Sequence, residues 1–182
     1  MNRKYAISVM SEDRPGIVAS VSRIVYELDG NICALSQTVM NGYFTIIIVA
    51  EFPSTVTGDI LEEKLLHAGS VGEYSVMTRE YKEPVLPDNL KQDANEYMLT
   101  ATGPDTRGII FQISENLAKR GINILDISGS LKKDQIVLIA QLLVPQDVDI
   151  SCLQDELAAL GMSKKLSVQL QHVNIFRETN RI

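Results

Sequence analysis

Two copies of one pattern lie 92 positions apart in this 182-residue chain, and no other feature constrains its fold as tightly. Tyr-Ala-Ile-Ser-Val at 5–9 returns as Tyr-Met-Leu-Thr-Ala at 97–101. The offset then holds without a gap. Asp13 falls on Asp105, Gly16 on Gly108, Ile17 on Ile109, Ser22 on Ser114, Asn31-Ile32 on Asn123-Ile124, Ser36 on Ser128, Pro53 on Pro145, Leu61 on Leu153 and Gly69 on Gly161. Turn, polar and apolar positions recur together over about 75 residues, and a solenoid needs shorter units and more of them. A duplicated small domain fits.

Inside each copy the hydrophobic period switches in the same order. Residues 4–10 alternate as a strand, and Ile17, Val18, Val21, Ile24, Val25 and Leu28 then follow helical spacing. Asp13 stands where it would cap that helix, and Pro15 suits its first turn. A strand over 31–40, the turn Asn41-Gly42 and a strand over 43–52 read as a hairpin. Ile60, Leu61, Leu65 and Leu66 mark a second helix, with Gly69 placed to end it, and 73–81 a fourth strand. The second copy predicts strand 97–103, helix 107–120, strand 122–132, a turn at Lys133-Asp134, strand 134–144, helix 150–160 and strand 164–174. The order βαββαβ, twice, predicts an α+β protein of two tandem ferredoxin-like domains, each an antiparallel sheet with its helices on one face. The expected boundaries are 1–81 and 96–176, joined by a polar linker over 82–95 that carries Pro84 and Pro87, with a tail over 177–182.

Charge and composition narrow the chemistry. Seventeen basic against twenty-three acidic side chains give a net charge of −6 and a pI near 4.9, which repels nucleic-acid phosphates and argues against direct DNA binding. The first ten residues lack the sustained apolar region of a secretory signal, and no apolar run approaches membrane-spanning length. A cytoplasmic protein without membrane contact is expected. Cys33 and Cys152 stand far apart without a C-x-x-C and are expected as buried, reduced thiols. Neither His67 nor His172 has a partner at a metal-ligand or catalytic spacing, and no phosphate-binding glycine loop occurs. No catalytic residue, metal or cofactor is expected.

The strand–helix loops carry the recognisable chemistry. Asp13-Arg-Pro-Gly-Ile17 is followed by Asp29-Gly-Asn-Ile32, and Asp105-Thr-Arg-Gly-Ile109 by Arg120-Gly-Ile-Asn-Ile124. A strand, D-R-P-G-I, an amphipathic helix and G-N-I or G-x-N-I entering a strand resemble the ACT domain, a module that binds amino acids and other small effectors. The resemblance covers nearly the whole chain outside the linker and last residues, and the second copy departs from it at Thr106-Arg107. Two such copies and little else are similar in architecture to the glycine cleavage system transcriptional repressors, which sense glycine status.

An amino acid offers a carboxylate and an ammonium. Helix first-turn N–H groups suit the carboxylate, Asp13 or Asp105 the ammonium, and Asn31 or Asn123 can donate and accept. Gly16 and Gly108 would let a ligand approach the backbone. In ACT assemblies, as the resemblance implies, the loop of one domain faces the second strand of a neighbour. The expected ligand sites are therefore Asp13, Arg14, Gly16 and Ile17 with Asn123 and Ile124, and Asp105, Thr106, Gly108 and Ile109 with Asn31 and Ile32. The expected function is an amino-acid-sensing regulator, with glycine or serine as candidate ligands, acting on transcription through a protein partner, and the chain is expected to form a homo-oligomer. The alternatives are a ligand-independent adaptor and a regulatory subunit of an amino-acid biosynthetic enzyme.

Overall fold

The computed structural model describes residues 2–70, 72–83 and 94–179. The chain divides into two units, Met1–Pro84 and Val85–Ile182. The first runs β1 (Arg3–Glu12), α1 (Ile17–Glu27), β2 (Asn31–Met40), β3 (Tyr43–Phe52), α2 (Gly58–Leu66) and β4 (Ser75–Glu80). The second runs β5 (Asn95–Pro104), α3 (Ile109–Ala118), β6 (Asn123–Lys132), β7 (Gln135–Val144), α4 (Ile150–Ser163), β8 (Ser167–His172) and α5 (Val173–Thr179). The sheets have the orders β2-β3-β1-β4 and β6-β7-β5-β8, with every neighbouring pair antiparallel. Both are the expected ferredoxin-like arrangement.

Strict alternation builds each core. Along β3, Phe44, Ile46, Ile48, Ala50 and Phe52 are buried, while Tyr43 and Ile47 on the other face are exposed. Against the buried face lie Ile17, Val21, Ile24 and Val25 of α1 with Leu61 and Leu65 of α2. Each large apolar side chain so covered stabilises the fold by roughly 1.5–3 kcal/mol. The second unit repeats this with Ile109, Ile113 and Leu117 of α3 and Leu153 and Leu157 of α4. Val18, Ile60 and Leu66 fit the helical period but remain exposed, because their helices turn a narrower stripe to the sheet.

The turns explain the boundaries. Asn41 and Gly42 both take positive φ (50° and 83°), as do Lys133 and Asp134 (46° and 61°), so both hairpins close through two-residue turns of the type that matches strand twist. Helices α1 and α3 stop alike: Gly30 N–H donates to the Val25 carbonyl, and Ile122 N–H to that of Leu117. The left-handed residue in that stop is Asp29 in the first unit (φ 53°) and Gly121 in the second (φ 66°).

Several expectations change. Gly69 does not end α2, which stops at Leu66 with His67 as its cap. β8 ends at His172, and residues 173–179, read as strand end and tail, form α5, whose first residue Val173 is buried. β5 begins at Asn95 within the stretch read as linker, while 84–93 lies outside the described residues. Cys33 and Cys152 are exposed rather than buried: Cys33 lies on edge strand β2, and Cys152 in the first turn of α4, outside the buried stripe of Leu153 and Leu157. Among the described residues no helix is long and apolar enough to cross a membrane, and no cluster could hold a metal ion.

Candidate functional site

The β1–α1 loop is set in place by the neighbouring hairpin. Asp13 N–H donates to the Gly42 carbonyl at 2.8 Å, and in the second unit Asp105 N–H donates to the Asp134 carbonyl at 2.9 Å. The chain then turns through Gly16 (φ 95°) or Gly108 (φ 83°), which stand as the N-cap residues of α1 and α3. No side chain caps either helix. Asp13 and Asp105 are therefore not the caps, because the left-handed glycine, three residues later, already makes the turn. By contrast, the Thr57 hydroxyl accepts from Ile60 N–H at the start of α2, and the Asp149 carboxylate from Cys152 N–H at the start of α4. The two helices that follow the D-x-x-G loops thus present their N-terminal ends uncapped by side chains, where the helix dipole favours an anion.

The glycines are required for their φ more than for space. A Cβ on Gly108 would meet nothing within 4 Å, and one on Gly16 would reach only Arg14 Nη1 at 3.9 Å. Any L-residue there would still be strained. Pro15 sits before the glycine cap and outside the helix, which corrects its expected place in the first turn.

Arg14 reaches across the loop to Glu73. Its Nε and Nη2 engage Glu73 Oε1, its Nη1 donates to the Pro15 carbonyl at 3.1 Å, and its Nη2 to the Tyr74 hydroxyl at 3.4 Å. The other carboxylate oxygen of Glu73 accepts from Ser70 N–H at 2.6 Å. The Arg14 hydrogen bond, and behind it that of the Ser70 backbone, hold the Glu73 carboxyl below its ordinary pKa, and Glu73 in turn raises that of Arg14. On one side of this pair lies a cavity of about 320 Å³ lined by Glu12, Asp13, Arg14, Ser70 and Glu73. Beside it, Asp13, Arg14, Gly16, Ile17, Val18, Ala19, Gln37 and Phe44 line a second of about 330 Å³ at the start of α1.

The remaining expected residues divide by role. The side chains of Ile17 and Ile109 are buried in the cores, so only their backbones face the loops. Ile32 and Ile124 are half-buried and pack against the same cores. Asn31 and Asn123 are exposed at the first positions of β2 and β6, paired with Glu51 and Leu143. Each stands at the far end of the sheet from its own unit's loop: Glu12 pairs with Tyr43, eight residues before Glu51, a distance of about 26 Å along a strand. No single unit brings its own Asp and Asn together. In the second loop Thr106 Oγ1 donates to the Pro104 carbonyl. Glu73, Ser70, Tyr74 and Gln37 were not among the expected residues. The 59 positions between Arg14 and Glu73 leave no local signal, although the break in the repeat, Lys165 opposite Glu73, marks the position.

The model of the ACT domain matches twice, over residues 5–72 and 96–171. The chain belongs to the ACT domain family. Each match takes in one D-x-x-G loop and its uncapped helix. A UPF0237 protein of Listeria monocytogenes is 35% identical over 82 residues, which is 45% of this chain and 91% of that protein, and one of Pyrobaculum aerophilum is 34% identical over 87 residues, 47% of this chain and 96% of its own. Those relatives are about as long as a single ACT unit. A solved structure of an unknown protein from Galdieria sulphuraria superposes with a TM-score of 0.78 at 21% identity, covering 95% of this chain and 99% of that one. A candidate glycine cleavage system transcriptional repressor superposes at 0.70 and 19% identity, covering 95% and 98%. At those identities the tandem fold is what is shared.

Proposed function

We propose that the chain is a non-catalytic sensor of an amino acid, and that ligand occupancy of its ACT loops alters its association with a regulatory protein partner. One observation carries the reading. Helices α1 and α3, alone among the four long helices of the described residues, start at a left-handed glycine without a side-chain cap. At α1 this end opens on a cavity flanked by Asp13 and Arg14. A free amino acid matches that array: its carboxylate is drawn to the helix end and Arg14, its ammonium to Asp13. Family membership and the fold shared with a candidate glycine cleavage repressor support a regulatory output, with glycine and serine the first ligands to try. The charge of −6 favours a protein partner over DNA as the immediate target.

A thermal-shift panel of the twenty amino acids tests this. A ligand at a hundred times its Kd adds about 2.7 kcal/mol to the unit that binds it. Asp13→Ala should abolish that gain while moving the ligand-free melting temperature little, because Asp13 caps nothing. A flat panel would sink the sensor reading. It would favour the adaptor instead, which one observation supports: Met10, Ile47 and Met77 are exposed together on the helix-free face of the first sheet.

A further inference from the structure

The Arg14–Glu73 pair has the form of a ligand contact made internally. A guanidinium is a rigid fork of five donors matched to a carboxylate, and here the carboxylate belongs to the protein. Its seat is built for it. Ser70 N–H holds one oxygen while Arg14 holds the other. Gly69 lies directly beneath: a Cβ there would fall 2.6 Å from Glu73 Oε2 and 3.1 Å from Cδ. Tyr74, buried beside it, touches the guanidinium through its hydroxyl. Arg14 also lines the cavity at the start of α1, where its Nη1 would lie 3.9 Å from a Cβ on Gly16.

The second unit keeps the glycine but lacks the ion pair and its tyrosine. At the offset of 92, Arg14 becomes Thr106, Glu73 becomes Lys165 and Tyr74 becomes Leu166. Gly69 becomes Gly161, which is tight against the Leu166 carbonyl and Val168 instead of a carboxylate. The shared fold therefore does not require the pair, which is particular to the first unit.

We infer that Glu73 is an internal rival for the ligand carboxylate at the first loop, so that binding there requires Arg14 to release Glu73 and opens a latch between the β1–α1 loop and the α2–β4 connection. The inference rests on the amino-acid-sensing reading and adds its regulation. The released carboxylate gives up Ser70 as well, so occupancy at α1 is transmitted to the segment that leads into β4. The second loop has no such rival. It has no counterpart of Arg14 either, so the two sites differ in both attraction and competition, and the first responds only to ligands whose carboxylate displaces Glu73.

The test is calorimetric titration of the full chain with each of the twenty amino acids, for wild type, Glu73→Gln and Arg14→Gln. A latch closed nine-tenths of the time lowers apparent affinity about tenfold. Glu73→Gln keeps the shape and weakens the hold on Arg14, so it should tighten first-site binding by up to about tenfold. Arg14→Gln should weaken it. In wild type, ligand should speed hydrogen exchange at the Ser70 amide, a change that a merely structural ion pair does not produce. Glu73→Asp, too short to bridge, should repeat the tightening if the glutamine variant folds poorly. Binding by wild type with unchanged affinity in both Glu73 variants and an unmoved Ser70 amide overturns the latch while leaving the sensor reading intact. Silence from every amino acid in wild type and both Glu73 variants overturns both.

Discussion

Gly30→Ala adds one methyl group at a place where the sequence shows only a glycine before Asn31. The backbone at Gly30 is not left-handed, so alanine would gain about 0.4–1 kcal/mol from a stiffer unfolded chain if there were room. There is none. The new Cβ would lie 2.4 and 2.6 Å from two ring carbons of Phe52 and 2.9 Å from the Val25 carbonyl oxygen, against ordinary contact at about 3.5–4.0 Å. The ring would have to shift by about 1 Å, but Phe52 is fully enclosed and has Tyr5 edge-on at 6.2 Å between centroids. Overpacking of this kind costs about 1–3 kcal/mol and outweighs the backbone gain. The second unit solves the same contact the other way round, with Ile122 at the glycine position and Val144 at the phenylalanine position, both buried. Gly30→Ile and Phe52→Val should therefore each destabilise the first unit, while the double variant recovers about 0.5–3 kcal/mol of the summed loss. Differential scanning calorimetry reads this directly, at about 4–8 °C per kcal/mol for a domain of this size. Additive effects in the double variant, or a Gly30→Ala protein that melts higher than wild type, would refute the volume exchange.

Other outcomes follow from the same contacts. Lys133→Asn with Asp134→Gly places turn-competent residues at two positive-φ positions and should stabilise the second unit by up to about 1–2 kcal/mol, read as a higher melting point; a lower melting point would show that the turn is held by something other than its dihedrals. Thr57→Ala removes the cap of α2 and should cost about 0.5–2 kcal/mol by urea unfolding, whereas Asp13→Ala should cost clearly less. Glu73 has a folded pKa below its unfolded value, so its contribution is complete above the ordinary glutamate pKa and is lost as pH falls through the folded one. Wild type should thus lose first-unit stability more steeply than Glu73→Gln below about pH 4, and parallel curves would remove the ion pair as the cause.

Much of the architecture was legible because its causes are local or repeated. Alternation in 43–52 follows from a strand with one covered face, and Asn41-Gly42 from the φ that a tight hairpin needs. The loops were legible as places but not as mechanisms. Gly16 and Gly108 were found, yet their purpose is a left-handed turn that displaces Asp13 and Asp105 from capping. Gly30 marks the space beneath a ring that follows it by 22 residues, while the left-handed position beside it is held by an aspartate. Cys33 lies on an edge strand, and edge position is set by which strands pair, not by local hydrophobicity.

The sequence by itself determined that there are two domains, that each is βαββαβ, and that the D-x-x-G loops are the recurring chemical feature. Period, turn propensity and an unbroken offset are properties of neighbouring residues, so they survive in one dimension. Only the tertiary structure decided what the loops hold. The Arg14–Glu73 contact spans 59 positions and depends on the chain after α2 bringing Ser70, Glu73 and Tyr74 beside Arg14. Such a contact is fixed by how helices settle on a sheet, and a chain read in order has no record of it.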